Sequence, residues 1–164
     1  MNIFFLSLDP ETCAHLYCDQ HVIKILLEIV QMLYTAHDPQ FIVARAPWNK
    51  ARTRRGYRAA HKNHPMCQWV RSSKESYLLT TEIGMALALE YNKRFGKIHA
   101  CSVHVLWLST HLPETFTRVT SETAYYSTQG VPECMPDEHK DPDLVTAYKN
   151  YYTTKTFGRW TIIK

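Results

Sequence analysis

The sequence predicts an all-α, single-domain protein of four to five helices joined by long irregular loops. Three observations predict it. Apolar residues recur at helical spacing over long stretches, as at Leu16, Val22, Ile23, Leu26, Leu27, Val30 and Leu33. A capping-type residue precedes proline at Asp9-Pro10, Asn63-His64-Pro65 and Asp141-Pro142, which is how helices start. Gly96 follows Lys93 and Arg94, a pattern that ends a helix. The chain has 164 residues, a length suited to one domain able to bury its own core without metal or disulfide staples.

Met1 to Leu8 reads as an extended lead-in. Asp9 caps a first helix over about Pro10–Ala36, with Glu11 at its positive end. Residues 38–56 hold Pro39, Pro47 and Gly56 and read as loop, followed by a short helical turn around Tyr57–Lys62. A second helix runs from Pro65 to Phe95, with a core face of Val70, Leu78, Ile83, Ala86 and Leu89. A third covers about Ala100–Leu112 and stops before Pro113. Residues 113–141 read as an irregular connection, and so long a connection in a compact domain is usually functional. A last helix follows Asp141-Pro142 to about Thr154, and its Tyr148 and Tyr152 read as core.

No apolar run approaches the ~18 residues of a membrane span, so no membrane partner is expected. The opening Met1–Leu6 has no basic region before it and is not read as a signal peptide. The five cysteines, 13, 18, 67, 101 and 134, form no C-x-x-C, which argues against a disulfide framework and for a reducing, cytoplasmic setting.

Net charge is only +4, but its distribution is uneven. Between residues 39 and 74 stand Arg45, Lys50, Arg52, Arg54, Arg55, Arg58, Lys62, Arg71 and Lys74, with no acid. Such a block repels itself unless anions answer it. Trp48, Tyr57, Trp69, His61 and His64 are interleaved with it. Cations mixed with aromatic faces suit a phosphate-bearing ligand whose bases stack, and a solvated basic loop is the plain alternative.

The first helix carries a polar stripe. His21, Lys24, Glu28 and Gln31 are spaced +3, +4 and +3, which puts them on one face. Lys24 and Glu28 are four apart and able to pair. If the stripe lines a cleft, the trio His21, Lys24 and Glu28 suits general acid–base work or stabilisation of a cationic sugar. If it faces water, it is an ordinary amphipathic face. His15, Cys18, Asp19 and His21 are zinc-type ligands, but their spacing matches no common zinc motif, and His61 or His64 would have to complete a site. Asn63 and His64 stand where a helix start offers free N–H groups, which suits capping, phosphate binding or both.

The opening Met1-Asn2-Ile3-Phe4-Phe5-Leu6-Ser7-Leu8-Asp9-Pro10 resembles the start of the pyrimidine-dimer DNA glycosylase (phage endonuclease V-like) family of bacteriophages and bacteria. The run Tyr57 to Val70, with its Asn63-His64-Pro65, and the close Glu90-Tyr91…Arg94-Phe95-Gly96 resemble further segments of that family. Cys18-Asp19-Gln20-His21-Val22-Ile23-Lys24 also resembles a pattern shared by small uncharacterised phage and large-virus proteins, with Gln20 in place of the expected lysine. The glycosylase resemblance covers about the first 100 residues. It implies an all-α fold and a reaction in which an N-terminal amine attacks the sugar C1′, forms a Schiff base and is assisted by a helix-borne Glu. A bulky Asn2 disfavours removal of Met1, so a free Asn2 amine is not assured.

The leading expectation is therefore a DNA glycosylase, with lyase activity, acting on a damaged or modified base. Glu28 would steer protons or stabilise the sugar cation, and Lys24 or the N-terminal amine would be the nucleophile. His21 and Asp19 would orient groups, and Gln31 would extend the contacts. Arg52, Arg54, Arg55 and Arg58 would hold phosphates, with Asn63 at the helix start. Tyr57, His61, His64 and Trp69 would line the pocket or stack on an extruded base. No cofactor is implied. Two other readings remain: a non-catalytic module that captures a nucleotide, such as a host signalling nucleotide, and a metal-dependent hydrolase using the His15–His21 cluster.

Overall fold

The computed structural model describes residues 1–117 and 128–161. The described residues are helical with no strand, apart from one isolated bridge between Trp48 and Arg55. The helices are α1 (Pro10–Leu16), α2 (Asp19–Tyr34), α3 (Pro39–Arg45), α4 (Pro65–Val70), α5 (Lys74–Phe95), α6 (Ser102–Thr110), α7 (Glu114–Thr117) and α8 (Leu144–Tyr152), with a 3₁₀ turn at Asp137–His139. The all-α expectation holds, but the helices outnumber four to five, because two long helices are each broken and both α3 and the short α7 fall in segments expected to be irregular.

The first break lies at Tyr17-Cys18, where both residues are extended. Tertiary partners replace the helical ladder there. Arg94 donates to the carbonyls of His15 at 2.8 Å and Tyr17 at 2.7 Å, and Trp160 Nε1 donates to Leu16 O at 3.2 Å. On the other side of the break, Cys18 N donates to the Tyr152 hydroxyl at 2.9 Å and Asp19 N to Arg159 O at 2.7 Å. Five polar groups left over at two helix ends are thus satisfied by residues distant in sequence. The second break lies at Arg71–Ser73. Ser73 restarts the chain as the cap of α5, its hydroxyl accepting from Ser76 N at 3.0 Å. Gly96, left-handed at φ 63°, ends α5 as expected.

Helix α3 starts on Asp38-Pro39, with the Asp38 carboxylate accepting from Gln40 N at 2.7 Å. Residues 57–61 form no helical turn. The cap of α8 is Asp143 and not Asp141, its carboxylate accepting from Thr146 N at 2.8 Å.

Helix α5 is the central element, packed against α1, α2, α4 and α6. Gly84 makes this crowding feasible, since a Cβ there would lie 2.7 Å from Val105 of α6 and 2.9 Å from Ile29 of α2. Helix α2 sends Val22, Ile25, Leu26, Ile29, Val30 and Leu33 into the core. Each such side chain contributes about 1.5–3 kcal/mol by leaving water. The opening segment adds Ile3, Phe4, Phe5 and Leu6 to the same core. On α5 the buried face includes Tyr77, Leu79, Ile83, Ala86 and Leu87, whereas Leu89 is exposed, because at about 100° per residue it lies roughly 120° round the helix from Ile83. Four tyrosines are fully buried, and each hydroxyl has a partner: Tyr17 with Phe4 O, Tyr34 with His104, Tyr77 with Leu108 O and Tyr148 with Pro132 O. No helix among the described residues is long and apolar enough to cross a membrane.

Candidate functional site

The restart of α2 at Asp19 decides what its first two turns face. His21, Lys24, Ile25 and Glu28 line one wall of a pocket of about 260 Å³. Met1, Asn2 and Phe4 form a second wall, and Tyr151, Lys155 and Phe157 from the end of the chain form the third. His21, Lys24 and Glu28 of the stripe therefore face a concavity, and its walls come from segments far apart in the sequence.

Glu28 is the convergence point. Its Oε2 accepts from the Asn2 backbone N–H at 3.0 Å and lies 3.9 Å from the Met1 amine. Its Oε1 lies 3.5 Å from Lys24 Nζ. The carboxylate is only 12% exposed, whereas the lysine is 68% exposed, so Lys24 reaches in from the rim. Asn2 is clamped three ways: its backbone on Glu28, its Nδ2 donating to Cys134 O at 3.0 Å, and its Oδ1 accepting from the Tyr148 hydroxyl at 3.3 Å. The buried Met1 side chain places its sulfur 3.7 Å from the Cys67 thiol. The first two residues are thus fixed parts of the site. With Lys24, Lys155 and an amine around one carboxylate, the pocket carries net positive charge, which favours an anionic ligand.

His21 is stacked on Phe4 with centroids 4.9 Å apart, and its Nδ1 meets the Tyr152 hydroxyl at 2.8 Å. Burial pushes its pKa down to about 4, helped by Lys24 and Lys155 and opposed by Glu28. The ring is therefore neutral near pH 7. When the Tyr152 hydroxyl, which also accepts from Cys18 N, gives its proton to Nδ1 of His21, the ring carries its own proton on Nε2. Lys155 Nζ lies 3.8 Å from the centroid of the Tyr151 ring, an arrangement that fixes a cation at the mouth.

The other expected site residues fall elsewhere. Asp19 does not line the pocket. Its carboxylate accepts from Arg94 at 3.0 Å and from the N–H and hydroxyl of Thr161 at 3.0 and 2.8 Å. Burial opposes ionisation there, but Thr161 and Arg94 outweigh it and hold the carboxyl below its usual value. Gln31 is half-buried and outside the pocket. Trp69 is a core residue and not a stacking platform, donating from Nε1 to Gln129 O at 3.1 Å and packing edge-on to Phe5. Tyr57 turns the other way, against the His104 ring at 4.7 Å, and burial pushes its hydroxyl up to about 12. Arg54, Arg55 and Arg58 line a separate cavity beside Trp48, and Arg52 is exposed with φ 53°. The arginine-rich stretch thus does not rim the Glu28 pocket. Its far end does approach: His64 caps α4 through Nδ1, 3.2 Å from Met66 N. Burial lowers its pKa, followed by the charge of the Met1 amine and then His61, with Glu28 opposing. His61 and Asn63 are exposed.

The zinc-type cluster does not assemble. His15 meets Glu90 at 3.3 Å, Cys18 is buried at the helix break, Asp19 is engaged by Arg94, and His21 turns to Tyr152. Among the described residues no three His, Cys, Asp or Glu side chains converge as metal ligands.

The chain matches no family model, no curated protein and no solved structure.

Asn2, Tyr151 and Phe157 were absent from the expected site. Their only sequence signal is position, since they lie in segments whose path over the fold is set by tertiary packing.

Proposed function

We propose that this protein is a DNA glycosylase that joins base removal to strand scission at a damaged or modified base. One observation carries the reading. A shielded carboxylate, Glu28, holds the Asn2 N–H at 3.0 Å and stands 3.9 Å from the Met1 amine, inside a cationic pocket of about 260 Å³. That volume lies just below the range of about 300–1,000 Å³ typical of ligand sites, so it suits one extruded sugar or base and not a longer stretch of strand. The resemblance of the opening and of the Tyr57–Val70 segment to pyrimidine-dimer glycosylases points the same way.

The chemistry follows from the arrangement. A neutral amine attacks C1′ with its lone pair, the bond from C1′ to the base breaks with its electron pair, and the base leaves as an anion that takes a proton from water. The attacking nitrogen loses a proton to Glu28, which passes it to O4′ as the C1′–O4′ bond opens and an iminium forms. Glu28 faces the positive charge that develops at the sugar. Loss of a C2′ proton then expels the 3′ phosphate, and water hydrolyses the imine. The Met1 amine, on the pocket wall 3.9 Å from Glu28, is the assigned nucleophile, with Lys24, 68% exposed and reaching in from the rim, as the second amine in reach. Neutral His21 offers Nε2–H as a donor to the leaving base or the sugar.

The test is borohydride trapping on duplex DNA carrying an abasic site, which removes the need to know the lesion. A covalent adduct that maps to Met1 supports the assignment. Mapping to Lys24 moves the nucleophile but keeps the reaction. Absence of both adduct and strand scission, with DNA bound unchanged, overturns the proposal in favour of a capture module.

A further inference from the structure

The arginines excluded from the Glu28 pocket build a site of their own. Residues 48–55 fold back on themselves: Asn49 N donates to Arg54 O at 2.9 Å, Arg52 N to Asn49 O at 2.9 Å, and the Asn49 side chain accepts from Thr53 N at 3.0 Å. Arg52, at the tip, is held at φ 53°, a conformation that non-glycine residues rarely adopt. Gly56 seats the loop on the core, with φ 65° and its Cα so close to Ile42 that a Cβ would lie 2.5 Å from Cγ2. The loop is therefore a fixed platform.

What it presents is a cavity of about 580 Å³ lined by Val43, Trp48, Thr53, Arg54, Arg55 and Arg58, with no carboxylate in the lining. Arg55 is built in: Nη1 donates to Ala46 O at 2.9 Å, and the guanidinium lies 4.9 Å from the Trp48 ring centroid. Arg54 and Arg58 have no ion-pair partner among the described residues. Trp48 is 49% exposed. Three cations with no answering acid among the described residues cost the fold self-repulsion, which an anionic ligand relieves. The neighbouring open indole adds a flat apolar face.

From this geometry we infer a second nucleic-acid site, in which Arg54 and Arg58 hold backbone phosphates of a single strand while a base stacks on Trp48. The ligand class rests on the DNA reading above, but the site does not depend on the chemistry at Glu28. It gives the protein a hold on unpaired strand away from the extruded nucleotide.

The experiment is binding of fluorescein-labelled oligothymidylate, followed by anisotropy over a series of salt concentrations. Each phosphate contact to a single strand contributes about −0.7 to the slope of log K against log salt. Arg54→Gln and Arg58→Gln are each expected to flatten that slope by about 0.7. Lys93→Gln, which removes an exposed charge near the end of α5, is expected to leave it unchanged. Trp48→Leu is expected to weaken binding roughly five-fold or more at an unaltered slope. Circular dichroism checks that each variant is folded. Slopes for the two arginine variants equal to that of the wild type or of Lys93→Gln overturn the inference, as does tight binding by Trp48→Leu. Those results leave the glycosylase proposal intact, while absence of a borohydride adduct alongside the expected slopes sinks the glycosylase proposal and keeps this site.

Discussion

Replacing Arg94 by Met tests the break between α1 and α2. The guanidinium is 2% exposed and serves four acceptors: Glu90 at 2.7 Å, Tyr17 O at 2.7 Å, His15 O at 2.8 Å and Asp19 at 3.0 Å. Methionine fills much of the same volume but donates nothing. Glu90, 5% exposed, is then left a buried carboxylate with only His15 at 3.3 Å, and two carbonyls at the helix break lose their donor. Removing one partner of a buried ion pair costs about 3–5 kcal/mol, and each orphaned carbonyl adds about 1 kcal/mol unless water reaches it. With water reaching both carbonyls the loss is about 4 kcal/mol, a large share of the 5–15 kcal/mol that holds a typical domain together. For a chain of this size it corresponds to a fall in Tm of roughly 8–16 °C. Urea unfolding at pH 7 reads the free energy directly. Arg94→Lys is expected to lose less, since an ammonium still neutralises Glu90 but cannot span all four acceptors. Pairing Arg94→Met with Glu90→Gln is expected to recover part of the loss, because the buried charge goes with its partner. A loss below about 1 kcal/mol for Arg94→Met would refute the claim that this side chain enforces the break.

Glu28→Gln is expected to lower trapping and scission at least 100-fold while Tm changes little, since the amide oxygen still accepts from Asn2 N; unchanged turnover in a single-turnover assay removes Glu28 from the mechanism. Acid should destabilise the fold. Burial puts His21 and His37 at about 4 in the folded state, against 6.5 in the unfolded chain. The unfolded state thus binds more protons between those values, so stability is complete above about pH 6.5 and is lost as pH falls towards 4. Each contributes at most about 3 kcal/mol; urea midpoints that stay level from pH 7 to 4.5 contradict this. Gly56→Ala forces a Cβ to within 2.5 Å of Ile42 at a left-handed φ and is expected to cost about 2–3 kcal/mol in a thermal melt. A Tm equal to that of the wild type counters the idea that the arginine loop is rigidly seated.

The local signals in the sequence were readable where one residue decides the outcome. Asp9, Gly96 and His64 cap helices where expected, because capping needs only a side chain and its nearest neighbours. Asp38-Pro39 carries the same signal as Asp9-Pro10, yet Pro39, Pro47 and Gly56 together made that region read as loop. The break at Tyr17-Cys18 was not readable at all. The apolar spacing runs on through it, and the groups that stabilise it belong to Arg94, Tyr152, Arg159 and Trp160. The candidate site divides in the same manner. Helical spacing placed His21, Lys24 and Glu28 on one face, but Asn2, Tyr151 and Phe157 join them only through the folded path of the chain. Trp69 and Tyr57 looked like ligand aromatics because composition does not reveal which face a ring turns to the core.

The tail that meets Asp19 has a bearing on biosynthesis. Thr161 and Asp19 are 142 residues apart, yet Thr161 donates both its N–H and its hydroxyl to that carboxylate, and Arg159 O receives the Asp19 N–H. While the polypeptide is still emerging from a ribosome, the helix bearing Glu28 must wait with an unfinished first turn. The clasp arrives only once residues 159–161 have been made, so a chain halted before Tyr151 would lack both a wall of the pocket and the anchor of its second helix.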